Sequence, residues 1–127
     1  FLVESNKKCF REKILTWNYG PVVKEVYDYY KGYGRENILS NTQYSELKFD
    51  FRNKKIVKKQ QKVDRQAADL IEKVVVSYKD IQNPFKLVEK THNEEPWRQS
   101  ELSKEISVNL IQDYYRNNKS KIYGYEE

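Results

Sequence analysis

The residues best suited to catalysis are the single histidine, His92, and the two carboxylates that follow it, Glu94 and Glu95. This combination suits acid–base or metal chemistry, but one imidazole beside neighbouring carboxylates is a weak metal signal because a second imidazole is lacking. Cys9, the only cysteine, would act as a nucleophile only with His92 within hydrogen-bond reach, and the sequence alone does not place the two together. We therefore predict a structural role for His92 at a helix C-terminus, with partner contact as the alternative, and no catalytic residue.

The glycines and the cysteine argue against a cofactor or a structural metal. The glycine spacing matches neither the phosphate-binding P-loop nor the dinucleotide fingerprint. A lone cysteine excludes an internal disulfide and a multi-cysteine zinc site, which fits a reducing cytoplasm. No apolar run approaches the ~20 residues needed to span a bilayer. We predict a cytoplasmic protein that is not an enzyme and has no cofactor, metal or membrane partner. The glycines are Gly20, Gly32, Gly34 and Gly124.

Positive charge is concentrated in one segment of the chain. The net charge is +5, and residues 52–62 contain several basic residues but no acidic residue. Such a segment either keeps an exposed hairpin edge soluble or attracts an acidic protein surface or nucleic-acid phosphates. The candidates for anion or nucleic-acid contact are Lys54, Lys55, Lys58 and Lys59.

Aromatic residues near the N-terminus are candidates for partner binding. Trp17 and Tyr19 precede a predicted helix at a turn that contains Gly20, where their ring edges can be exposed. Tyr29 and Tyr33 lie on the predicted wet side of that helix. Because aromatic residues anchor interfaces but also fill cores, packing is the alternative for each. The partner-binding candidates are Trp17, Tyr19, Tyr29 and Tyr33.

A helix is predicted from Pro21 to about Lys31. Proline suits the first helical position because its φ angle is already helical and its missing amide would be unpaired there. Val23 and Tyr27 are spaced at i and i+4, and with neighbouring apolar residues they form one stripe. We expect that stripe to be buried.

A hairpin and a long helix are predicted next. Alternating apolar residues from Leu47 to Val57 indicate a short hairpin with a turn near Asn53. The clearest helix of the chain begins after Asp64, which suits a capping position, and ends near Tyr78. Its apolar residues lie on one face over at least three turns.

A shorter helix is predicted after Asn83, where proline again follows a capping residue, and it ends near His92. Phe85 is expected on its apolar side. Pro96 is expected to keep Glu95 out of helical geometry, which makes a corner that folds Trp97 back over the core.

The last predicted helix starts at Ser107, whose hydroxyl is expected to accept a hydrogen bond from the backbone N–H of Leu110. Residues 119–127 are polar, and we expect a loose tail there. The expected fold is mainly α: a single compact helical domain over residues 1–118 with a small β-hairpin.

The apolar complement is small for a chain of 127 residues. Only 38% of the residues are hydrophobic, and 11 of these are tyrosines. Tyrosine rings could fill much of the interior, a missing N-terminal helix could supply part of it, or a partner could cover an apolar face. The sequence contains no methionine, so we expect it to be a fragment or a processed form.

Two motifs carry a resemblance to a known family. The first reads W-x-Y-G-P-V-V-x-x-V-Y from Trp17 to Tyr27, and the second reads T-H-x-E-x-P-W from Thr91 to Trp97. Together they resemble the Panacea domain, the SocA-like antitoxin family often described as phage-associated proteins, over roughly Phe10 to Tyr115. Members usually begin with further helices that have no counterpart here, and Phe1–Glu4 resembles the last turn of such a helix. The motif residues to which we assign a structural role are Gly20, Pro21, Val23, Tyr27, His92, Pro96 and Trp97.

The resemblance implies the antitoxin of a toxin–antitoxin system, which acts by protein–protein contact. Such an antitoxin either masks its cognate toxin directly or delivers that toxin to a protease. From the residues alone, the alternative is a nucleic-acid-binding regulator that uses the basic segment 52–62.

Overall fold

A computed structural model of the protein describes residues 1–39, 47–58 and 63–123. The predicted mainly helical fold with a small hairpin is confirmed, and the structure adds a second hairpin near the N-terminus. The helices are α1 (Leu2–Ser5), α2 (Lys24–Tyr30), α3 (Arg65–Tyr78), α4 (Pro84–His92), α5 (Glu95–Arg98) and α6 (Val108–Asn117). The strands are β1 (Ile14–Trp17), β2 (Gly20–Val23), β3 (Leu47–Asp50) and β4 (Lys55–Lys58), and two short 3-10 helices cover Lys31–Tyr33 and Lys119–Lys121.

The helix predicted to start at Pro21 begins instead at Lys24. Residues 20–23 form β2, which pairs antiparallel with β1. The stripe expected to be buried is also largely open, because Val26 and Tyr27 are exposed. The Gly-Pro pair therefore closes a hairpin, and the prediction that it starts a helix is wrong.

Pro21 fits in β2 because Thr16, the residue opposite it in β1, makes its backbone hydrogen bonds with another segment of the chain. Thr16 lies opposite Pro21, but the Thr16 N–H donates to the carbonyl of Lys104 at 2.8 Å and its C=O accepts from the N–H of Ser103 at 2.7 Å. Both bonds leave from the other edge of β1, so the pairing with Pro21 requires no amide hydrogen from the proline. Residues 103–106 thus extend the hairpin on the far side of β1.

The buried centre lies where this segment meets β1. Ile106 and Thr16 are each 2% exposed, and the Ile106 N–H donates to the carbonyl of Ile14 at 2.8 Å. Within the described ranges, Tyr114 of α6 is the other buried hydrophobic residue. The core is therefore as small as the composition indicates, and it is built around one strand and one aromatic ring.

The long helix α3 forms where it is predicted. The carboxylate of Asp64 accepts a hydrogen bond from the N–H of Ala67 at 2.8 Å, which caps the first turn. No described residue of α3 is buried, and its apolar side chains Ile71, Val74 and Val75 are exposed. Local signals thus set the helix, while its apolar face packs little against the described chain.

The helix α4 begins with Pro84 and ends at His92, as predicted, and the side chain of Asn83 accepts from the N–H of Phe85 at 3.0 Å. The Phe85 side chain is exposed and does not pack inward with the apolar side of the helix. It lies in the first turn of α4, two residues after the capping Asn83. Within the described ranges, no helix has the length and apolar character that crossing a bilayer requires.

Two predicted details around the last helices are wrong. Glu95 and Pro96 both belong to α5, because a proline in the first turn of a helix lacks only an amide that has no partner there, and Glu94 is the extended residue. Ser107 precedes α6 as predicted, but its hydroxyl makes no capping bond, and only its backbone carbonyl accepts, from the N–H of Ile111.

Residues 119–122, at the start of the predicted tail, contact other elements. Lys119–Lys121 forms a 3-10 turn, the Tyr78 hydroxyl donates to the carbonyl of Ile122 at 3.2 Å, and Lys90 Nζ donates to the carbonyl of Lys121 at 3.0 Å. These bonds attach this turn to α3 and α4. Residues 124–127 of the predicted tail lie outside the described residues.

Gly20→Ala is expected to destabilise the fold by about 2–3 kcal/mol. The φ of Gly20 is +115°, and an added Cβ would lie 2.9 Å from Thr91 Oγ1. Gly32→Ala is the matched control and should be neutral or slightly stabilising, because nothing lies within 4 Å of its added Cβ. Urea unfolding followed by circular dichroism measures both, and equal stabilities of the two variants would contradict this role of Gly20.

Candidate interaction site

The tip of the β1–β2 hairpin presents an exposed tyrosine on a fixed backbone. Trp17 pairs with Gly20, so Asn18 and Tyr19 alone form the turn between the strands. Tyr19 is 76% exposed. A large ring at a short, paired turn loses little conformational freedom on binding, which is the property of an interface anchor.

The second motif holds this hairpin from behind. The indole Nε1 of Trp97 donates to the carbonyl of Trp17 at 3.0 Å, across 80 positions of sequence. The His92 ring stacks on Trp97 with centroids 3.8 Å apart and planes inclined by 21°. Thr91 lies against Gly20, where a side chain would not fit. The two motifs are therefore one structural unit, and the predicted return of Trp97 over the core is confirmed.

The carboxylate of Glu94 is buried in this unit and has a partner on each oxygen. Lys90 Nζ donates to Oε1 at 2.8 Å, and the Tyr115 hydroxyl donates to Oε2 at 2.6 Å. Burial, the hydrogen bond to Glu94 and the nearby negative charge raise the pKa of Tyr115 far above its ordinary value. A buried carboxylate with both oxygens bonded in this way holds α4, α5 and α6 together.

Two of the residues considered for catalysis contact other side chains, and the other two are exposed. His92 stacks on Trp97, Glu94 is bonded to Lys90 and Tyr115, and Glu95 is exposed. Cys9 is exposed at a cavity near the N-terminus. Across the described ranges, no three His, Cys, Asp or Glu side chains are grouped so as to hold a metal ion.

Apolar clefts flank Tyr19 on both sides. On one side its ring lies 6.5 Å from that of Phe85, and the cleft between them is also lined by Pro84 and Val88. On the other side a groove runs past the Trp17 ring, which contacts Tyr27 edge to face at 4.9 Å between centroids. We call this region the Tyr19 surface. It consists of Trp17, Tyr19, Val22, Tyr27, Phe85, Val88 and Leu102.

The other predicted contact residues do not line the clefts of this surface. Tyr29 and Tyr33 both pack around the ring of Tyr30, at the end of α2 and in the following 3-10 turn. The predicted basic candidates Lys54, Lys55 and Lys58 are exposed on the β3–β4 hairpin, and Lys59 lies outside the described residues.

Of the seven residues of the Tyr19 surface, sequence reasoning proposed Trp17 and Tyr19 for partner contact and missed the other five, among them Phe85 and Leu102. Phe85 was expected on the inner side of α4, yet it faces solvent beside Tyr19, and Leu102 lies in a loop with no periodic signal. Both reach the surface through contacts between distant segments. No local pattern in the sequence marks them.

Comparison with known protein families gives a match that covers both motifs of this structural unit. A family model described as "Antitoxin SocA-like, Panacea domain" matches residues 1–98. The chain belongs to this family. Neither the curated proteins nor the solved structures give a match.

Membership of the SocA-like Panacea family supports an antitoxin-like function in general, with a non-catalytic regulatory role and a toxin as the kind of partner. The match ends with α5 at Arg98, earlier than the extent expected from the motifs, and it begins at the first residue. Both motifs lie within it. Tyr115, which bonds Glu94 of the second motif, is outside the match.

Tyr115→Phe is expected to lower the free energy of unfolding at pH 7 by about 1–3 kcal/mol, because Glu94 Oε2 loses its donor. The folded pKa of Tyr115 is raised above the unfolded value of about 10, so its stabilising contribution is complete below that pH and falls as the pH rises further. The gap between wild type and variant should therefore narrow from about pH 9 to pH 11.

Urea unfolding at both pH values measures this gap. Tyr19→Phe is the matched control, because it removes the hydroxyl of a tyrosine that is 76% exposed, and it should leave stability unchanged at either pH. A deficit for Tyr115→Phe that stays constant with pH would contradict the assignment.

Proposed function

We propose that this domain neutralises a cognate toxin protein by direct contact and that the Tyr19 surface is its principal contact region. The observation that carries the proposal is the exposed Tyr19 ring between two apolar clefts, on a hairpin held in place by the second motif. Interfaces gain most of their binding energy from a few aromatic anchors that insert between apolar walls. The family of the chain supplies the class of partner.

The small core supports the same function. Apolar side chains of α2 and α3 are exposed, among them Val26, Ile71 and Val75. Surfaces of this kind are stabilised when another polypeptide covers them. A domain that carries them is suited to binding a partner.

Direct masking and delivery to a protease begin with the same contact but leave different amounts of toxin. Co-expression with the product of the adjacent gene tests both: growth is compared with and without this protein, and the toxin is quantified by immunoblotting. Direct masking leaves the amount of toxin unchanged, whereas delivery to a protease lowers it. A neighbouring product that is harmless alone, or that stays toxic in the presence of this protein, would refute the proposal.

Tyr19→Ala is expected to abolish or strongly reduce this rescue, because truncation of an anchor residue costs about 2 kcal/mol or more, a loss of about thirtyfold in affinity. Folding should be unaffected, since the ring lies outside the core. Tyr29→Ala is the matched control, because it truncates an exposed tyrosine of the separate cluster around Tyr30 and should retain rescue. Full rescue by Tyr19→Ala, or a greater loss of rescue with Tyr29→Ala, would show that the toxin contact lies outside the Tyr19 surface.

A further inference from the structure

The β3–β4 hairpin carries an apolar cluster that is separate from the Tyr19 surface. Phe49 lies opposite Ile56 in the strand register, so their side chains share one face of the sheet. Phe51 packs edge to face on Phe49, with centroids 5.1 Å apart. Phe49, Phe51 and Ile56 are 48%, 85% and 67% exposed. Three large apolar side chains thus lie together in water.

Basic residues lie along the same hairpin: the register puts Lys58 on the face of Phe49 and Ile56, and Lys55 on the opposite face. The turn between the strands is closed by the Asp50 carboxylate, which accepts from the backbone N–H groups of Arg52 at 3.0 Å and Asn53 at 3.3 Å. Asp50 is the one acidic residue from position 47 to 58, and it is used within the turn. We call the exposed apolar and basic residues here the hairpin surface. They are Phe49, Phe51, Arg52, Lys54, Lys55, Ile56 and Lys58.

Within the described ranges, β3 and β4 pair only with each other, so each has an outer edge that pairs with no other strand. Such an edge can bind an extended peptide through main-chain hydrogen bonds, while pockets on one face select alternate side chains. Apolar side chains would meet the cluster, and acidic side chains would meet the lysines.

We propose that the hairpin surface binds an acidic, extended segment of a partner protein, in which carboxylates alternate with apolar residues. The inference rests on the proposed function, since the partner is the toxin, and it adds the chemistry of the segment that the toxin presents. The positive charge of the hairpin surface favours an acidic segment and speeds its association. The aromatic area that becomes buried on binding supplies affinity.

Two observations favour a protein segment over a nucleic acid. Ile56 lies beside Phe49 on the same face of the sheet, and an aliphatic side chain gives a base no flat ring on which to stack. The outer strand edges offer amides and carbonyls in the spacing of another polypeptide strand. A single-stranded nucleic acid would use only the phenylalanines and the lysines.

Fluorescence anisotropy with defined probes tests the inference. The first probe is a labelled peptide of about eight residues, the length of a strand, with alternating Glu and Val. A peptide of the same length with alternating Lys and Val, and an oligothymidine of about 12 nucleotides, are the comparisons. We expect the acidic peptide to bind at least about tenfold more tightly than either comparison and to weaken as salt is added.

The lysine contribution is measured with a triple variant, Lys54→Glu, Lys55→Glu and Lys58→Glu, and the apolar contribution with Phe51→Ser. Each should weaken binding of the acidic peptide by about tenfold or more. A matched control reverses the same number of charges on exposed lysines elsewhere and should stay within about twofold of wild type. It combines Lys73→Glu, Lys79→Glu and Lys104→Glu.

Three outcomes would overturn the inference: equal binding of the acidic and basic peptides, an equal loss in the control variant, or tighter binding of the oligothymidine that the hairpin substitutions abolish. The last outcome would identify a nucleic-acid surface. Co-expression then separates this inference from the proposed function. If wild type rescues growth and the hairpin variants rescue equally, the hairpin surface is not the toxin contact. If wild type itself fails to rescue growth, the proposed function is refuted, and the hairpin surface is then judged by the peptide binding alone.

Discussion

The backbone of one short strand, β1, joins the segments around the buried centre. Its carbonyls and amides bond β2 on one edge and residues 103–106 on the other, and the carbonyl of its last residue accepts the indole of Trp97. Burying a polar backbone is favourable only when its groups are bonded, so a strand with both edges used fixes the position of every segment that reaches it. The hairpin tip, α5 and the loop before α6 all take their places from β1.

The second motif stabilises this arrangement through one aromatic contact and one buried charge. The His92–Trp97 stack is of a kind worth about 0.5–1.5 kcal/mol beyond its buried area. Glu94 costs free energy to bury, and the bonds from Lys90 and Tyr115 offset that cost. His92 and Glu94 thus both take part in contacts between these segments. The last helix takes part although the family match stops before it.

The sequence predicted best those elements that depend on neighbouring residues. Asp64 and Asn83 cap α3 and α4 as expected, because a capping bond is formed within one turn of the chain. Pro21 was misassigned because proline fits the first turn of a helix and also a strand position whose partner bonds elsewhere. The bond that decides between them comes from residues 103 and 104, which no local pattern connects to β1.

The candidate site was predictable only in part, for the same reason. Tyr19 could be proposed from its turn, since a ring beside a glycine at a chain reversal is often exposed. Phe85 and Leu102 could not, because each meets Tyr19 across a long stretch of sequence. The exposure of α3 was also hidden, since an apolar face has the same spacing whether or not another element covers it.

Different residues form the tip of the β1–β2 hairpin and hold it in place, and this separation has a consequence for substitutions. Asn18 and Tyr19 form the turn, while the groups that hold the hairpin belong to Trp17, Gly20 and the second motif. The side chain of Asn18, the variable position of the first motif, can therefore change without disturbing the scaffold, whereas Tyr19 is itself a motif residue. A substitution of Asn18 would alter the surface beside the Tyr19 ring without altering the backbone that carries it.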